Sequence, residues 1–455
     1  MQGYARARAG RSRLCGLLAS SSLAALLVGG GAPSALAACN TSYTNTTAPG
    51  CTNASAITGI AINNSTLTSS ITNSGTISPN GIVLSNASTI NGTIVDPGTL
   101  TGGISLDHAS RISGGADTAI DISGSTFAGG IANSGAIGGF RAIEIGGGAL
   151  FTGGVTNSGA LISSGGTALR IGVSTFTGGI SNSGTISGPT GVVTAVSTFL
   201  GGISNSGTIA SQQDAIEVNG GSLFAGGISN SGTLSARGTV IAVFNVSTFA
   251  GGITNSGLVA GSGIYINGVS TFLGGIVNSG TMAGSFVGIA VYNVRSFLGG
   301  LSNTGTLRDI RLYFGAFSGS TMTMSTFGGG VVNSGTIAGP NPGVFVGGQA
   351  SRGGTVVLSA YSGGISNSGT ISAYSGILMG FFAQPGSAVL VSTFAGGITN
   401  SGTIVASAQD GISVTGGSAA RSRYRRSPAI SAMRARSRRP ATAFSSALPA
   451  ASAAR

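Results

Sequence analysis

Residues 392 to 404 read STFAGGITNSGTI, and residues 247 to 257 read STFAGGITNSG. The phrase recurs on a fixed skeleton: an aromatic residue, one variable residue, Gly-Gly, an aliphatic residue, one variable residue, then Asn-Ser-Gly or Asn-Thr-Gly. Its asparagines are Asn133, Asn157, Asn182, Asn205, Asn230, Asn255, Asn278, Asn303, Asn333, Asn367 and Asn400, spaced by 24, 25, 23, 25, 25, 23, 25, 30, 34 and 33 residues. An earlier copy, ITNSGTI, sits at Asn73, and TGGISLDHASRIS at 101–113 reads as a degenerate copy lacking the asparagine. A period in this range marks a stacked array, because one such unit cannot bury its own apolar face.

The short-range pattern says which array. The units are filled with Gly, Ser, Thr, Ile and Val, the chain holds 83 glycines and no lysine, and about 24 residues leave no room for a helical hairpin. In TAIDISG, RAIEIGG, TALRIGV and DAIEVNG two aliphatic residues flank one charge, respectively Asp121, Glu144, Arg170 and Glu217. Side chains alternate faces along a strand, so the aliphatics point inward only if these charges point into solvent. Each unit is therefore expected to be one coil of an all-β, parallel β-solenoid of about 14 coils, a rod about 65 Å long at about 4.8 Å per coil.

Stacking gives each repeated residue a task. Phe127, Phe151, Phe176, Phe199, Phe224, Phe249, Phe272, Phe297, Phe327 and Phe394 all stand two residues before Gly-Gly, with Tyr361 in that slot in the remaining copy. They should form one buried aromatic ladder. The glycine pairs allow a corner with positive φ or a close backbone approach. Two roles are open to the asparagines: an inward ladder of amide hydrogen bonds, or left-handed turn residues leading into Ser-Gly. The threonine after most of these turns stacks as well, but its neighbours on the same face include Ser187, Ala210 and Arg308, which argues against a regular ice-binding array.

The ends differ from the repeats. Arg6, Arg8, Arg11 and Arg13, an apolar run, Pro33 and ALAAC have the layout of a secretory signal peptide over 1–37, cleaved after Ala37. Residues 38–57 read as an N-terminal cap in which Cys39 and Cys51 form a disulfide, as a close pair in an exported protein would. The rival reading is a lipoprotein acylated at Cys39. Repeats occupy 58–417, and 418–455 is an Arg/Ala/Ser/Pro-rich tail, expected to be disordered or read out of frame. The formal charge of +12 arises at the ends: residues 38–417 hold eight arginines and nine acids. No basic stripe marks a nucleic-acid surface.

Little chemistry is on offer. With no lysine there is neither a Walker loop nor a Schiff-base nucleophile, and His108 is the single histidine. The run DHAS at 107–110 puts Asp, His and Ser together, but neighbours on a strand face opposite ways. No catalytic, cofactor or metal site is expected.

The signal peptide, the Cys39/Cys51 opening and the STFxGGIxNSGTI coils resemble the passenger region of bacterial type V autotransporters. That resemblance implies a right-handed β-helix stalk displayed outside a Gram-negative cell, serving adhesion to a host or neighbouring cell surface, self-association or presentation of another domain; the missing catalytic motifs, and not the resemblance, make a nonenzymatic role the expectation. The resemblance also implies a C-terminal translocator barrel. Only 38 residues follow Gly417 and none is glycine, so this chain is not expected to build that barrel, and without one the rod would remain periplasmic. A carbohydrate-binding solenoid or a lyase is the alternative, to be distinguished by a groove gathering acids and aromatics on one face.

Overall fold

The computed structural model describes residues 37–124, 126–148, 150–284 and 286–416; the signal-peptide segment up to residue 36 and the tail lie outside them. A full coil has four short strands. In one coil these are Ile131–Asn133, Ala136–Gly139, Arg141–Gly146 and Leu150–Phe151. They pair in parallel with Val155–Asn157, Ala160–Ser163, Thr167–Gly172 and Thr175–Phe176 of the next. First and fourth strands belong to one sheet, second and third to the other, and the rungs continue to Ile412–Gly416 as about fourteen complete coils. The fold is a parallel β-helix with its core along the axis.

The period-two pattern sets which residues enter that core. Ile143 and Ile145 are fully buried while Glu144 between them faces out, and Glu144 lies in register with Asp121 before it and Arg170 after it. These charges are half-buried and not free in solvent, contrary to the expectation, because adjacent rungs cover one another's flanks. Glu144 accepts hydrogen bonds from Arg141 at 2.8 Å and Arg170 at 2.6 Å. Burial, and then the Glu144 charge, push the Asp121 carboxyl above its usual range despite Arg141.

Two glycine columns let the coils stack. A Cβ on Gly153 would land on the Gly130 backbone one coil below, and one on Gly159 would land on the Gly135 carbonyl. Gly130 itself turns the corner at φ +77.

The segment set apart as a cap is continuous with the coils. Ala37 pairs with Cys51, Tyr43 with Ile62 and Ala48 with Leu67, so residues 37–57 already form rungs of the helix. Cys39 and Cys51 are joined in a disulfide, with Cys51 buried against the core.

One repeat is out of phase. Ile71–Asn73 does not continue the column of Ile131–Asn133; it pairs with Cys51–Asn53 and Ile94–Asp96, and that column runs on through Ile120–Ile122 into the third strands. The copy at Asn73 thus lies on the opposite corner of the coil. The degenerate copy at 101–113 does stand in the later column, with Leu106 in register with Asn133.

The long units between Asn303 and Asn400 also differ from simple loop insertions. Their extra residues lengthen the strands Ile310–Phe317, Val344–Ser351 and Ile377–Ala383, which stack on one another. The chain then turns at Ser318-Gly319 and Arg352-Gly353, all at positive φ. It returns along Thr321–Met324, Thr355–Tyr361 and Ala388–Phe394. The last coils are therefore wider, with Phe314, Ala316, Met324 and Leu358 filling the added interior. Phe381 points into this interior and Phe382 out of it, as strand alternation requires.

Candidate functional site

The inward repeat residues are structural. Rings from Phe127, Phe151, Phe176, Phe199, Phe224, Phe249, Phe272, Phe297 and Phe327 to Tyr361 stack with centroids 4.6 to 5.0 Å apart and planes within 28° of parallel. Carbon contact is closest at about 3.5–4.0 Å, so near-parallel rings at this pitch must be offset, the arrangement their quadrupoles favour. The backbone of Phe394 is in register with Tyr361, and its side chain lies outside the described residues. Leu100 and Ile77 continue the column below Phe127. The Tyr361 hydroxyl donates to Gly364 O at 3.1 Å, and burial holds its pKa far above the phenol range.

The asparagines take the first of their two roles. From Asn133 to Asn400 each Nδ2 donates to the next Oδ1 at 2.6 to 2.8 Å. Each Nδ2 also donates to the carbonyl two residues on, as Asn255 does to Gly257 at 3.2 Å. None of them has positive φ. A second, shorter ladder occupies the opposite corner: Asn53 Nδ2 donates to Asn73 Oδ1, and Asn73 Nδ2 to Asp96 Oδ1, both at 2.7 Å. Asp96 is fully buried, its Oδ2 has no partner, and Ile122 stands above it. Burial raises its pKa against the lowering effect of the Asn73 and Gly98 donors.

Outside the core, the residues at 107–110 form a turn. Asp107 Oδ2 accepts from Asn86 N at 2.6 Å, His108 is exposed, and Ser110 is buried and accepts from Ser88 N at 3.1 Å. The glycine column leaves an open groove of about 410 Å³ over Gly154, Gly179, Gly202 and Gly226, edged by Thr156, Ser181, Ser204 and Ser229 and carrying no ionisable group. Among the described residues no three His, Cys, Asp or Glu side chains are grouped to hold a metal ion.

Among the described residues an outward run of aromatic side chains lies on the third strands. Phe244, Tyr265, Tyr292, Tyr313 and Phe345 follow one another up five coils, with centroids 5.6, 5.1, 5.4 and 6.4 Å apart. In the earlier coils the Tyr265 position holds Asp121, Glu144, Arg170, Val193 and Glu217. Arg311 lies within the strip and donates twice to the buried Asp309 Oδ2, at 3.0 and 2.7 Å; Asp309 Oδ1 also accepts from Gly288 N at 2.7 Å. Burial works against the Arg311 charge, and the Asp309 carboxylate with the Tyr292 hydroxyl more than offsets it, so its pKa is raised. Burial, reinforced by Tyr292, keeps the Tyr265 and Tyr313 hydroxyls protonated beyond the ordinary phenol range. Sequence reasoning missed this strip although its signal was present: aromatics stand in or two places after the slot that holds a charge in TAIDISG.

The chain matches no protein-family model, no curated protein and no solved structure. The chain is a repeat-rich, all-β stack of parallel strands, an architecture that fits a β-helix passenger region.

Proposed function

We propose that this chain is a nonenzymatic, exported rod of the type V passenger kind, displayed at a Gram-negative cell surface and making adhesive contacts along its side. The observation that carries the reading is the Cys39–Cys51 disulfide in the first rungs of a parallel β-helix. Such bonds persist in oxidising compartments, and a long exported solenoid with its side chains committed to stacking is suited to spacing and contact. The acids support a nonenzymatic role: Asp309 is paired with Arg311, Glu144 with two arginines, and Asp96 lies sealed in the core. The acylated alternative needs the Cys39 sulfur that the disulfide occupies; the mass of the mature N-terminus separates the two.

The test is display. Fused to a translocator barrel in a Gram-negative host, the chain should become protease-accessible on intact cells and promote attachment or clumping. Retention inside, or display with no change in attachment, would defeat the proposal. The aromatic strip favours a second reading, a carbohydrate-binding solenoid, which can be the adhesive contact of the first.

A further inference from the structure

We propose that the strip formed by Phe244, Tyr265, Tyr292, Tyr313 and Phe345 is a docking surface for an uncharged, extended polysaccharide lying along the solenoid axis. This goes deeper than the stalk reading by naming the contact and its ligand class, but it requires only the β-helix.

The strip is not demanded by the core. The inward residues of the same strands, Ile264, Ile266, Ile289, Val291, Ile310 and Leu312, are already fully buried on the other face. Earlier coils fill the Tyr265 and Phe345 position chiefly with charges and the Phe244, Tyr292 and Tyr313 position with Gly146, Gly172 and Asn219, and fold alike. Nor do the rings behave as the buried ladder does. Three of the four successive pairs are inclined at 56°, 40° and 63°, whereas the interior stack, like the fourth pair at 27°, stays within 28°. Inclined rings leave part of each face uncovered by the next.

Two glycines let the outward rings lie close against the backbone. A Cβ on Gly315 would meet the rings of Phe317 and Tyr313 at 2.8 and 3.1 Å, and one on Gly347 would meet the Phe345 ring at 2.6 Å. Phe317 is about half exposed at this edge.

Charge selects the occupant. A single-stranded nucleic acid would also stack on aromatics, but it needs a positively charged groove for its backbone. Here the Arg311 guanidinium is paired with Asp309, and Glu217 adds a negative charge near the lower end. Within the strip itself an anionic polymer therefore meets no unpaired cation. Sugar rings present C–H faces, whose weakly positive hydrogens settle over the negative face of an aromatic ring, and hydroxyls that pair with amides and phenols. The strip offers three tyrosine hydroxyls and the amides of Asn219, Asn267 and Asn293 at its margin. Successive rings stand one coil apart, about 4.8 Å along the axis, with centroids 5.1 to 6.4 Å apart because they alternate between two slots, so successive sugars of an extended chain can meet successive rings.

The purified full chain would be run in native gels containing mixed-linkage β-glucan, xylan, galactomannan or dextran, with polygalacturonate and heparin as anionic comparators. Titration with cellohexaose and hexa-N-acetylchitohexaose would follow tyrosine emission, which is not masked because the chain has no tryptophan. At least one neutral polymer should retard the protein. The double variant Tyr265→Ser/Tyr292→Ser should weaken that binding at least about tenfold, as loss of central aromatic contacts does, and Tyr292→Phe should retain it. If the double variant loses its strand circular dichroism, Asn267→Arg, which leaves every ring in place and lays a charged chain across the strip, should weaken binding in its stead. No neutral polymer bound, equal binding by the variants, or binding of the anionic polymers alone would overturn the proposal. Polysaccharide binding without surface display would sink the stalk reading alone, and display without polysaccharide binding would sink this one alone.

Discussion

Asp96 is the residue at which the repeat's own logic makes the sharpest prediction. It occupies the slot that Asn53 and Asn73 hold in the lower ladder and accepts from Asn73, but it has no amide nitrogen to donate onward. Its Oδ2 is left buried without a partner beneath Ile122. The flanking rungs bring no charge to it: Asn73 and Ile122 face it, and Asp121 on the upper strand points outward. A buried acceptor without a partner costs about 1–3 kcal/mol, more when charged. Asp96→Asn restores a donor where the other asparagines reach the carbonyl two residues on, here that of Gly98. It should stabilise the lower coils by about 1–3 kcal/mol at neutral pH.

The pH dependence has a definite sign. Because burial holds the folded-state pKa above the usual carboxylate range, the native state holds this proton more tightly than the unfolded state does. Its contribution is fully present below the unfolded pKa and is lost as pH rises through the folded one. The variant's advantage should therefore be largest at neutral pH and shrink on acidification. Denaturant unfolding of wild type and Asp96→Asn at several pH values between 4 and 8 measures the difference, and scanning calorimetry guards against a two-state assumption that stacked repeats need not obey. A variant that is less stable at neutral pH, or a difference that does not vary with pH, would refute the reasoning.

Other outcomes follow from the ladders and pairings. Phe249→Ala removes a ring stacked at 4.8 Å on both sides and should cost about 3–5 kcal/mol in denaturant unfolding. Asn255→Leu breaks the bonds to Asn230 and Asn278 and strands their buried polar atoms, at about 1–3 kcal/mol for each, so it should be worse than its apolar gain suggests. Reduction of the Cys39–Cys51 bond should destabilise the first coils by about 3 kcal/mol, read by comparing melts with and without reductant. Removing residues 348–358 alone should cause misfolding, because the extended strands on either side, Ile310–Phe317 and Ile377–Ala383, lose the rung between them. Removing the extensions from all three wide coils together should leave a soluble rod with its strand circular dichroism intact.

The fold was legible because the stacking direction converts a sequence period into a spatial column. Once Phe and Gly-Gly recur at a fixed offset, the interval between coils needs no further information. Two features were hidden for the same reason. Asn-Ser-Gly-Thr-Ile has no marker of which corner of the coil it serves, so Asn73 read as a member of the column to which Asn133 belongs. The actual assignment rests on Ile94 pairing with both Ile71 and Ile120, a long-range register absent from the local words. The lengthened strands of the wide coils were hidden because their extra residues interrupt the period and match one another only from coil to coil. The aromatic strip escaped notice because its members alternate between two neighbouring outward slots instead of repeating in one.

The change of corner says how much freedom the coil has. Below Asp96 the amide ladder stands at one corner and Tyr43, Ile62 and Leu84 fill the other; above Asn133 the assignment is exchanged, with Ile145 and Ile171 where amides stood before. Neither Leu106 nor Ile122, in the rungs between, carries an amide. A polar ladder can therefore end and restart on the far side, provided each coil keeps its interior filled, and the ends are where unpaired atoms appear: Asp96 Oδ2 at the top of one and Asn133 Oδ1 at the foot of the other. Inward positions are thus tied to their neighbours above and below, since a change in one rung leaves a bond or a void in two others. Outward positions carry no such obligation. The series Asp121, Glu144, Arg170, Val193, Glu217, Ala242, Tyr265 changes character while the backbone beneath it does not, so distinct surface chemistry can be written on this rod one coil at a time.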